Sequence, residues 1–498
     1  MKIFSAAQIK KWDAYTIAHE PIKAIDLMER AAQACTRWMM QHFSLHHPIQ
    51  VFCGKGNNGG DGLAIARMLI QGQYKVTVYI VESENKGSPE FNANLEKLHH
   101  WDSQLQYISL NDHLPVIEER TVIIDALFGT GLNKPPEGVA ANLISHINQY
   151  DVPIVSIDLP SGLFADYSSK ANNVVGATYT LSFQNNKLAF LLPENEPYCG
   201  EVYLLDIGLH PAFEKEEEAA FEMTETGFIK KIYKPRKKFS HKGTYGHAVL
   251  ITGSHGMMGA SVLSARACLR SGAGKLTCYI PECGYEIMQS SVPEAMCITS
   301  GEDHLASVEE IAQFDAIGIG PGIGKYPSHT ALLKDLLQTV KTPLLIDADA
   351  LNMIAADKTL MASIPPLAVL TPHHREFERL FGPVSNDFER LQLALERSKE
   401  YRIYIVLKGH NTFISTPEGK GFFNSTGNAG MATAGSGDVL SGCITALLAQ
   451  GYPPLEASLL GTYLHGLAGD IAAQRYSPEA MIAGDIVELM GEAFKQVS

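Results

Sequence analysis

The sequence of 498 residues has no long apolar run, no paired-cysteine motif and no signal-peptide pattern. Its apolar stretches fall short of the roughly 18 residues that a membrane-spanning helix needs. The first residues lack an apolar core followed by a cleavage site, which a signal peptide would show. The eight cysteines are scattered, without CxxC pairs or histidines at zinc-ligand spacing. We therefore expect a cytoplasmic protein with reduced thiols and no membrane partner.

Basic residues are also too few for a nucleic-acid partner. The formal net charge is −14, so nucleic-acid phosphates would be repelled rather than neutralised. The content of 45% hydrophobic and 19% charged residues is typical of a folded globular chain. The length exceeds what one core usually supports and predicts two domains or three.

Short apolar runs alternate with helix-length segments in two series. The first series contains IQVFCG, YKVTVYIVE, TVIIDA and VPIVSIDLP, and the second contains HAVLITG, KLTCYIP, DAIGIGPG, TPLLIDAD, LAVLTPH and IYIVLKG. This alternation predicts mostly parallel sheets covered by helices. Between the series lies a break that is acidic at 214–218 and basic at 230–242, which we interpret as a solvated helix and an exposed connecting segment. The predicted domain boundary is near residue 222.

The first series opens with a glycine-rich loop, VFCGKGNNGGDGLAIARML, between a strand and a helix. Gly54, Gly56 and Gly59 match a dinucleotide-binding fingerprint, with Glu82 near the place of the ribose-binding acid. Asp61 argues against that interpretation, since we expect it in the first helical turn, where it would repel a pyrophosphate. The neighbouring asparagines fit hydroxyls, amides or a cation better.

Two further strands of the first series end in acids, Asp125 and Asp158. Because ligands of parallel sheets bind beyond the carboxyl ends of strands, Asn58 and both acids are expected to converge in one crevice. The oxygens of Asn58, Asp125 and Ser161 would suit a hard cation. A loop-capping role explains either acid alone equally well.

The motifs GNNGGDG, DALFGTG and IDLPSG, in this order, resemble the NAD(P)H-hydrate epimerase domain over about residues 1–215. The resemblance implies that K⁺ is held by Asn58, Asp125 and Ser161. Epimerisation needs proton transfer and ring opening, so Asp158 is the candidate catalytic acid/base. The resemblance also implies a binding site for the hydrated nicotinamide nucleotide, formed by Asn57, Asn58, Gly59, Gly60, Asp61, Gly129, Thr130, Gly131, Leu132, Asn133, Lys134, Pro135 and Asp158.

The second series ends in another glycine-rich stretch, STGNAGMATAGSGDVLSG at 425–442, before a helical pattern. A glycine-rich loop at a helix start brings free N–H groups close to a ligand and suits phosphate. Asp438 would stand unfavourably close to that anion unless it takes part in the chemistry. An ordinary helix cap is the alternative interpretation.

Residues 238–495 contain the motifs HAVLITGSHGMMGA, GIGPGIG, LLIDADALN, TPHHREFERL, VLKGHNT and NAGMATAGSGDVLSG. Together they resemble the ribokinase-like fold, and specifically the ADP- or ATP-dependent NAD(P)H-hydrate dehydratase. One departure is HHRE at 373–376, where a proline and a glycine are expected before Glu376. The motif nevertheless keeps His373 and Glu376.

This second resemblance implies a nucleotide site and a hydrate site. Amides of Ala434–Gly437 would stabilise the transferring phosphoryl group, and Asp438 would deprotonate the attacking hydroxyl. The expected nucleotide contacts are Lys408, Gly409, His410, Asn411, Thr412 and Gly437. The expected hydrate contacts are Ala260, Gly322, His373 and Asp438. Alternatives remain: His373 as a satisfied loop histidine, Lys408 as a solvated strand end, and Asp347 and Asp349 as structural or Mg²⁺-assisting acids.

Together these patterns predict an α/β protein of two domains. A Rossmann-like three-layer sandwich is expected over residues 1–222, and a ribokinase-like α/β domain over 223–498. The predicted protein is a homo-oligomeric enzyme that epimerises hydrated NADH and NADPH and dehydrates the S form, with K⁺, Mg²⁺ and ADP or ATP. A regulatory nucleotide-binding protein and a small-molecule kinase fused to a binding domain are the competing hypotheses.

Overall fold

The computed structural model describes residues 1–82, 86–101, 103–110 and 112–498. The chain divides into an N-terminal unit, formed by Lys2–Ala219 and Asn386–Phe388, and a C-terminal unit, formed by Met1, Ala220–Ser385 and Glu389–Ser498. No helix within the described ranges has the length and apolar character to cross a membrane.

The N-terminal unit alternates strands and helices along most of its length. Its strands are β1 (Lys2–Ile3), β2 (Ile49–Cys53), β3 (Val76–Val81), β4 (Gln104–Ile108), β5 (Val122–Ala126), β6 (Ile154–Ile157), β7 (Tyr179–Phe183) and β8 (Glu201–Leu205). Its helices are α1 (Ala6–His19), α2 (Ala24–His42), α3 (Asn57–Gln71), α4 (Pro89–His99), α5 (Gly138–Ile147), α6 (Glu196–Cys199) and α7 (Pro211–Glu216).

Seven of these strands form a parallel sheet in the order β4-β3-β2-β5-β6-β7-β8. Its central strands are apolar on both faces, so neighbouring side chains enter different cores. Val51 packs in a core with residues of α2, α3 and α4, whereas Phe52 packs in a second core with α5. The expected three-layer sandwich is confirmed. The strand order reverses between β2 and β5, and a crevice is expected beyond the carboxyl ends of these strands.

The C-terminal unit begins with a strand inside the charged break. Its strands are β9 (Phe221–Thr224), β10 (His247–Ile251), β11 (Lys275–Ile280), β12 (Met296–Thr299), β13 (Ala316–Ile319), β14 (Leu344–Ile346), β15 (Val369–Leu370), β16 (Tyr404–Leu407), β17 (Phe413–Ser415) and β18 (Gly421–Asn424). Its helices are α8 (Thr226–Ile232), α9 (Met258–Arg270), α10 (Tyr285–Ser291), α11 (Pro327–Thr339), α12 (Ala348–Ala356), α13 (His374–Phe381), α14 (Asp387–Tyr401), α15 (Ser436–Ala449), α16 (Pro454–Tyr476) and α17 (Ala483–Val497).

These strands follow the order β9-β18-β17-β16-β15-β14-β13-β10-β11-β12. The pairs are parallel except at β17, which runs antiparallel to both neighbours. Buried side chains of α9, α15, α16 and α17 share one core with β10. The strand order reverses at β10 and β13, so a second crevice is expected where these strands end.

The interpretation of the charged break as a solvated helix and a connecting segment is only partly right. Residues 221–224 form β9, which pairs in parallel with β18. This strand is only four residues long and lies between charged runs, so its sequence gives a weak strand signal. The predicted domain boundary at residue 222 falls within β9.

Candidate active sites

The GNNGGDG motif forms the start of α3, with Gly56 at the N-cap. Asp61 is the fifth residue of this helix, so the prediction that it lies in the first turn is wrong: the asparagines are already helical. Asp61 is buried, and burial followed by the charges of Asp158 and Asp13 raises its pKa well above the ordinary value. Asn57 is exposed at the helix start, whereas Asn58 is buried.

Close backbone packing explains why this loop is rich in glycine. A Cβ built on Gly59 would lie only 1.7 Å from the carbonyl oxygen of Gly54, so no other residue fits without moving the loop. Glu82, the acid expected on a ribose in a dinucleotide-binding protein, is paired with Lys55 at 2.6 Å. That ion pair engages one of the two carboxylate oxygens of Glu82.

Asp125 is fully buried at the end of β5 and lies in a network of hydroxyl and amide donors. Ser161 donates to it from Oγ at 2.5 Å and from its backbone N–H at 2.8 Å, and Ser156 Oγ donates at 2.8 Å. Burial raises the pKa of Asp125, while the bonds from Ser161 and Ser156 oppose the rise. The structure therefore brings Asp125 and Ser161 together, as predicted.

Asp158 follows β6 and has both carboxylate oxygens engaged. Its Oδ2 accepts the backbone N–H of Thr130 at 2.9 Å, and its Oδ1 lies 3.1 Å from Lys187 Nζ. A Cβ built on Gly129 would lie 2.8 Å from Asp158 Oδ2 and 3.3 Å from Asn58 Oδ1, which shows that these three residues are neighbours. The predicted convergence of Asn58 and Asp158 is present.

The loop at 129–135 reaches this crevice through its first two residues. Gly129 and Thr130 lie beside Asp158. The other predicted members are exposed or half-buried: Gly131, Leu132, Asn133, Lys134 and Pro135. These five residues are therefore accessible to a ligand from solvent.

Two charged residues of this crevice were missed by sequence reasoning. Lys187 is 1% exposed and contacts Asp158. Asp13 lies in α1, and its pKa is raised to about 7 by burial and by the charge of Asp158, against an opposing effect of Lys187. Lys187 shows a weak signal, a lysine directly before the apolar stretch LAFLL and shortly after a strand. Asp13 shows none, because it is far along the chain from every motif.

In the C-terminal unit the stretch 425–442 leads into α15, which begins at Ser436 after Gly435 at the N-cap. Asp438 lies in the first turn of this helix. Burial and then the charge of Asp347 raise its pKa to about 6, while Lys408 opposes the rise. A carboxyl group of this kind at a helix N-terminus accepts a proton readily near neutral pH.

Lys408 follows β16 and connects the acids of this site. Its Nζ lies 2.8 Å from Asp347 Oδ1 and 4.0 Å from Glu376 Oε2. A Cβ on Gly437 would lie 3.3 Å from the same Nζ, so the ammonium group stands beside the start of α15. Burial would lower the pKa of Lys408, but the charges of Asp347 and Glu376 outweigh it and raise the pKa. The alternative of a solvated strand end is wrong, because the side chain is only 20% exposed.

Asp347 links Lys408 to helix α15. It is 1% exposed, and Ser441 Oγ of α15 donates to its Oδ2 at 2.5 Å while Lys408 occupies its Oδ1. Ser441 Oγ also lies 3.1 Å from the carbonyl oxygen of Gly437. Asp349 accepts the backbone N–H of Gly324 at 3.0 Å. These contacts fit the structural roles considered for both acids.

His373 and Glu376 form a capping box at the start of α13. His373 Nδ1 accepts the backbone N–H of Arg375 at 3.1 Å, and Glu376 Oε2 accepts the N–H of His373 at 2.9 Å. Burial, followed by the charges of Lys408 and Arg379, lowers the pKa of His373. The HHRE sequence therefore caps its helix without the expected proline and glycine, and His373 Nε2 lies only 3.5 Å from Glu376 Oε1.

Ala260 and Gly322 lie together where β10 and β13 end. Gly322 has φ of 63°, and a Cβ there would lie 2.9 Å from Ala260 Cβ and 2.7 Å from the carbonyl oxygen of Met257. Its own carbonyl oxygen accepts Ser254 Oγ at 2.9 Å. A larger residue at Gly322 would therefore be strained and would narrow this corner of the crevice.

The predicted nucleotide residues after Lys408 form a turn between β16 and β17. Thr412 Oγ1 donates to the carbonyl oxygen of Gly409 at 3.1 Å, which closes the turn. Gly409 and His410 are exposed, and Asn411 is half-buried. The turn thus offers backbone and side-chain groups to a ligand beside Lys408.

Two mostly parallel sheets, each with buried acids where its strands end, define an α/β enzyme. The family described as YjeF-related protein N-terminus matches residues 24–189, and the family described as NAD(P)H-hydrate dehydratase matches residues 248–491. The bifunctional NAD(P)H-hydrate repair enzyme Nnr of Moorella thermoacetica is 34% identical over 98% of this chain and 96% of its own length. The enzyme of that name from Escherichia coli K12 is 33% identical over 93% of this chain and 88% of its length.

A solved structure also resembles part of this chain. The crystal structure of the ADP/ATP-dependent NAD(P)H-hydrate dehydratase from Bacillus subtilis, co-crystallised with ATP and Mg²⁺, is 31% identical and has a TM-score of 0.50. The match covers 56% of this chain and 99% of that one. The ribokinase-like fold predicted for the second half is confirmed. The chain belongs to the family of bifunctional NAD(P)H-hydrate repair enzymes.

Proposed function

We propose that the N-terminal unit equilibrates the R and S epimers of hydrated NADH and NADPH, and that the C-terminal unit dehydrates the S epimer with ADP or ATP. The observation that carries the proposal is Asp438, a carboxyl group at the start of α15 whose pKa is raised to about 6. Lys408 lies next to the same helix start. A hydroxyl-activating base beside a cation and free amides fits phosphoryl transfer.

Dehydration through phosphorylation follows from the chemistry of the leaving group. Asp438 takes the proton of the hydrate hydroxyl, whose oxygen forms a bond to the terminal phosphorus of ADP or ATP while the bond to AMP or ADP breaks. Phosphate then leaves the ring carbon as the lone pair of the ring nitrogen forms a C=N bond. Loss of a proton from the adjacent carbon restores the reduced nicotinamide. Amides of Ala434–Gly437 and the Lys408 ammonium stabilise the transferring group.

The ligand contacts proposed for the C-terminal unit are those that the family resemblance implies, and the position of Lys408 beside Gly437 supports them. Lys408, Gly409, His410, Asn411, Thr412 and Gly437 bind the nucleotide, and Ala260, Gly322, His373 and Asp438 contact the hydrate. Mg²⁺ is usually held by one or two carboxylates together with substrate phosphates. Among the described residues no three His, Cys, Asp or Glu side chains are grouped as a metal site, which is compatible with Mg²⁺ entering with the nucleotide. When bound, it would neutralise charge on the phosphates.

In the N-terminal unit, Asp158 is the acid/base of epimerisation. The hydrated carbon changes configuration through ring opening, which requires a proton to be moved and returned. Residues 57–61 and 129–135 hold the nucleotide around this carboxylate. Their place at the switch point between β2 and β5 is where ligands of parallel sheets bind.

The residues proposed for K⁺ fit a hard cation. Asp125 is fully buried, and the described part of the chain shows no salt bridge to it, so a cation would offset its charge. The Asn58 side-chain amide nitrogen is buried without a hydrogen-bond partner, but as a donor it would not ligate a cation, so Asn58 would contribute its carbonyl oxygen Oδ1. Oxygens of Asn58, Asp125 and Ser161 would hold K⁺, which would supply a local positive charge and order the crevice.

Removing the charge of Asp125 should make epimerisation insensitive to K⁺. Asp125→Asn keeps the shape of the side chain but weakens the cation site. We expect the parent epimerase rate to rise with K⁺ and the variant rate to be low and flat across the same titration. Dehydration of pure S epimer should be unchanged in both. Parallel K⁺ responses of parent and variant would contradict the proposed site.

The C-terminal unit should work alone if its first strand is kept. A fragment of residues 220–498 retains β9, which a cut at the predicted boundary would divide. We expect this fragment to bind ADP or ATP and to dehydrate only the S epimer, leaving the R epimer unconsumed. The measurement is the absorbance of reduced nicotinamide with each pure epimer. Consumption of both epimers at equal rates would contradict the division of roles.

One assay tests the whole proposal and separates it from the kinase alternative. Hydrated NADH of both epimers is incubated with the full chain and ADP, and then with ATP. Restored reduced-nicotinamide absorbance with release of inorganic phosphate supports the repair activity. A stable phosphorylated product without restored absorbance would instead identify a small-molecule kinase. Cytoplasmic location and homo-oligomeric assembly remain part of the proposal, the latter to be measured by light scattering.

A further inference from the structure

Lys187 is a charged residue with no role in the mechanism above. It is 1% exposed, and it follows β7 by four residues. Its Nζ lies 2.6 Å from Ser182 Oγ, 2.8 Å from the carbonyl oxygen of Phe183 and 3.1 Å from Asp158 Oδ1. An ammonium group has three donors, so these three acceptors use its full capacity. Burying a cation is costly unless it is paired and fully hydrogen-bonded, and this one is both.

The same contacts hold Asp158 from two sides. Lys187 occupies Oδ1, and the backbone N–H of Thr130 occupies Oδ2 at 2.9 Å. The backbone of Asp158 is also tied to the next strand, because its N–H donates to the carbonyl oxygen of Leu181 at 2.8 Å. Its φ of 67° is in the left-handed region, a conformation that persists only where the surroundings enforce it.

We propose that Lys187 is a positioning residue for the epimerase reaction, which fixes the orientation of the Asp158 carboxylate. The inference rests on the proposed function of the N-terminal unit. Proton transfer needs donor and acceptor within hydrogen-bond reach. Without Lys187, Oδ1 loses its partner and the carboxylate turns about its remaining contact with Thr130. A misplacement of about 1 Å at a reacting group can cost about 10²-fold in rate.

Lys187→Met in the full chain tests the proposal, with Arg67→Met as the matched control. Arg67 is another largely buried cation of the same unit, paired with Glu29 at 2.6 Å, and its side chain is 13% exposed. With equal concentrations of folded protein, K187M should lower kcat for conversion of R to S by about 10²-fold with KM changed less than about threefold. R67M should lose stability but keep kcat. Both variants should dehydrate pure S epimer at the parent rate.

Two further variants test the positioning role of Lys187, one by restoring the positive charge and one without changing Lys187 itself. Lys187→Arg retains the positive charge and should recover at least about tenfold of the kcat lost in K187M. If K187M does not fold, Ser182→Ala, which removes one acceptor of the ammonium, should lower kcat by about fivefold at unchanged KM. Parent-like kcat in every folded Lys187 and Ser182 variant would overturn the inference while leaving the epimerase function intact. Failure of the parent to epimerise would overturn the proposed function itself.

Discussion

Asp438→Asn should reduce dehydration of the S epimer by about 10²- to 10⁴-fold, the usual effect of removing a general base. Asparagine keeps the size and hydrogen-bonding shape of the side chain but cannot accept the proton of the hydrate hydroxyl. Affinity for ADP or ATP should hold or rise slightly, because a negative charge beside the phosphates is lost. The measurements are single-epimer kinetics and nucleotide titration. Dehydration within a few-fold of the parent would mean that Asp438 is only a helix cap.

The pH dependence of the parent gives the same hypothesis a second measurement. Burial, together with the charge of Asp347, raises the pKa of Asp438 to about 6, so the base is ionised above that pH and protonated below it. The rate of dehydration at low substrate should therefore fall as pH drops through about 6. The residual rate of D438N should lack this acid limb. Epimerisation by the same variant should match the parent, because the variant leaves Asp158 in place.

The acids at strand ends could be predicted from the sequence, and the structure shows why. Asp125 lies near the end of a short apolar strand, Asp158 and Asp347 each follow one, and parallel strands bring their carboxyl ends to one edge of a sheet. The local pattern therefore placed these acids without any knowledge of long-range contacts. The position of Asp438 could be predicted for a similar reason, because a glycine-rich loop and a helix start are both recognisable from the local sequence.

Contacts that depend on distant parts of the chain were not predictable. Asp13 lies in α1, and its link with Asp158 depends on how the helix packs. Lys187 lies close in sequence to two of its acceptors, Ser182 and Phe183, but nothing local indicates that its ammonium group would also meet the distant Asp158. The position of Asp61 was wrong by a turn, because Asn57 is already helical despite the glycines that follow it.

Asp347 holds Lys408 in position, so removal of the Asp347 carboxylate should destabilise the C-terminal unit strongly. Asp347 is 1% exposed and divides its oxygens between Lys408 and Ser441. Breaking a buried ion pair by removing one partner typically costs ~3–5 kcal/mol, because the remaining charge is left without compensation. Removing a hydrogen bond to a charged group costs less, about 1.5–3 kcal/mol. Loss of the ion pair and loss of one hydrogen bond can therefore be compared, because both interactions involve the Asp347 carboxylate.

Asp347→Ala should therefore lower the free energy of unfolding of the C-terminal unit by ~3–5 kcal/mol, or its Tm by about 10 °C. At temperatures where the protein stays folded, dehydration should also fall by about 10²-fold, since Lys408 is no longer held beside Gly437. Ser441→Ala is the matched control, because it removes one bond to Asp347 but keeps the ion pair, and it should retain most activity. Thermal unfolding and single-epimer kinetics measure both effects. Equal losses in the two variants would show that the Ser441 hydroxyl, rather than the ion pair with Lys408, supports the site.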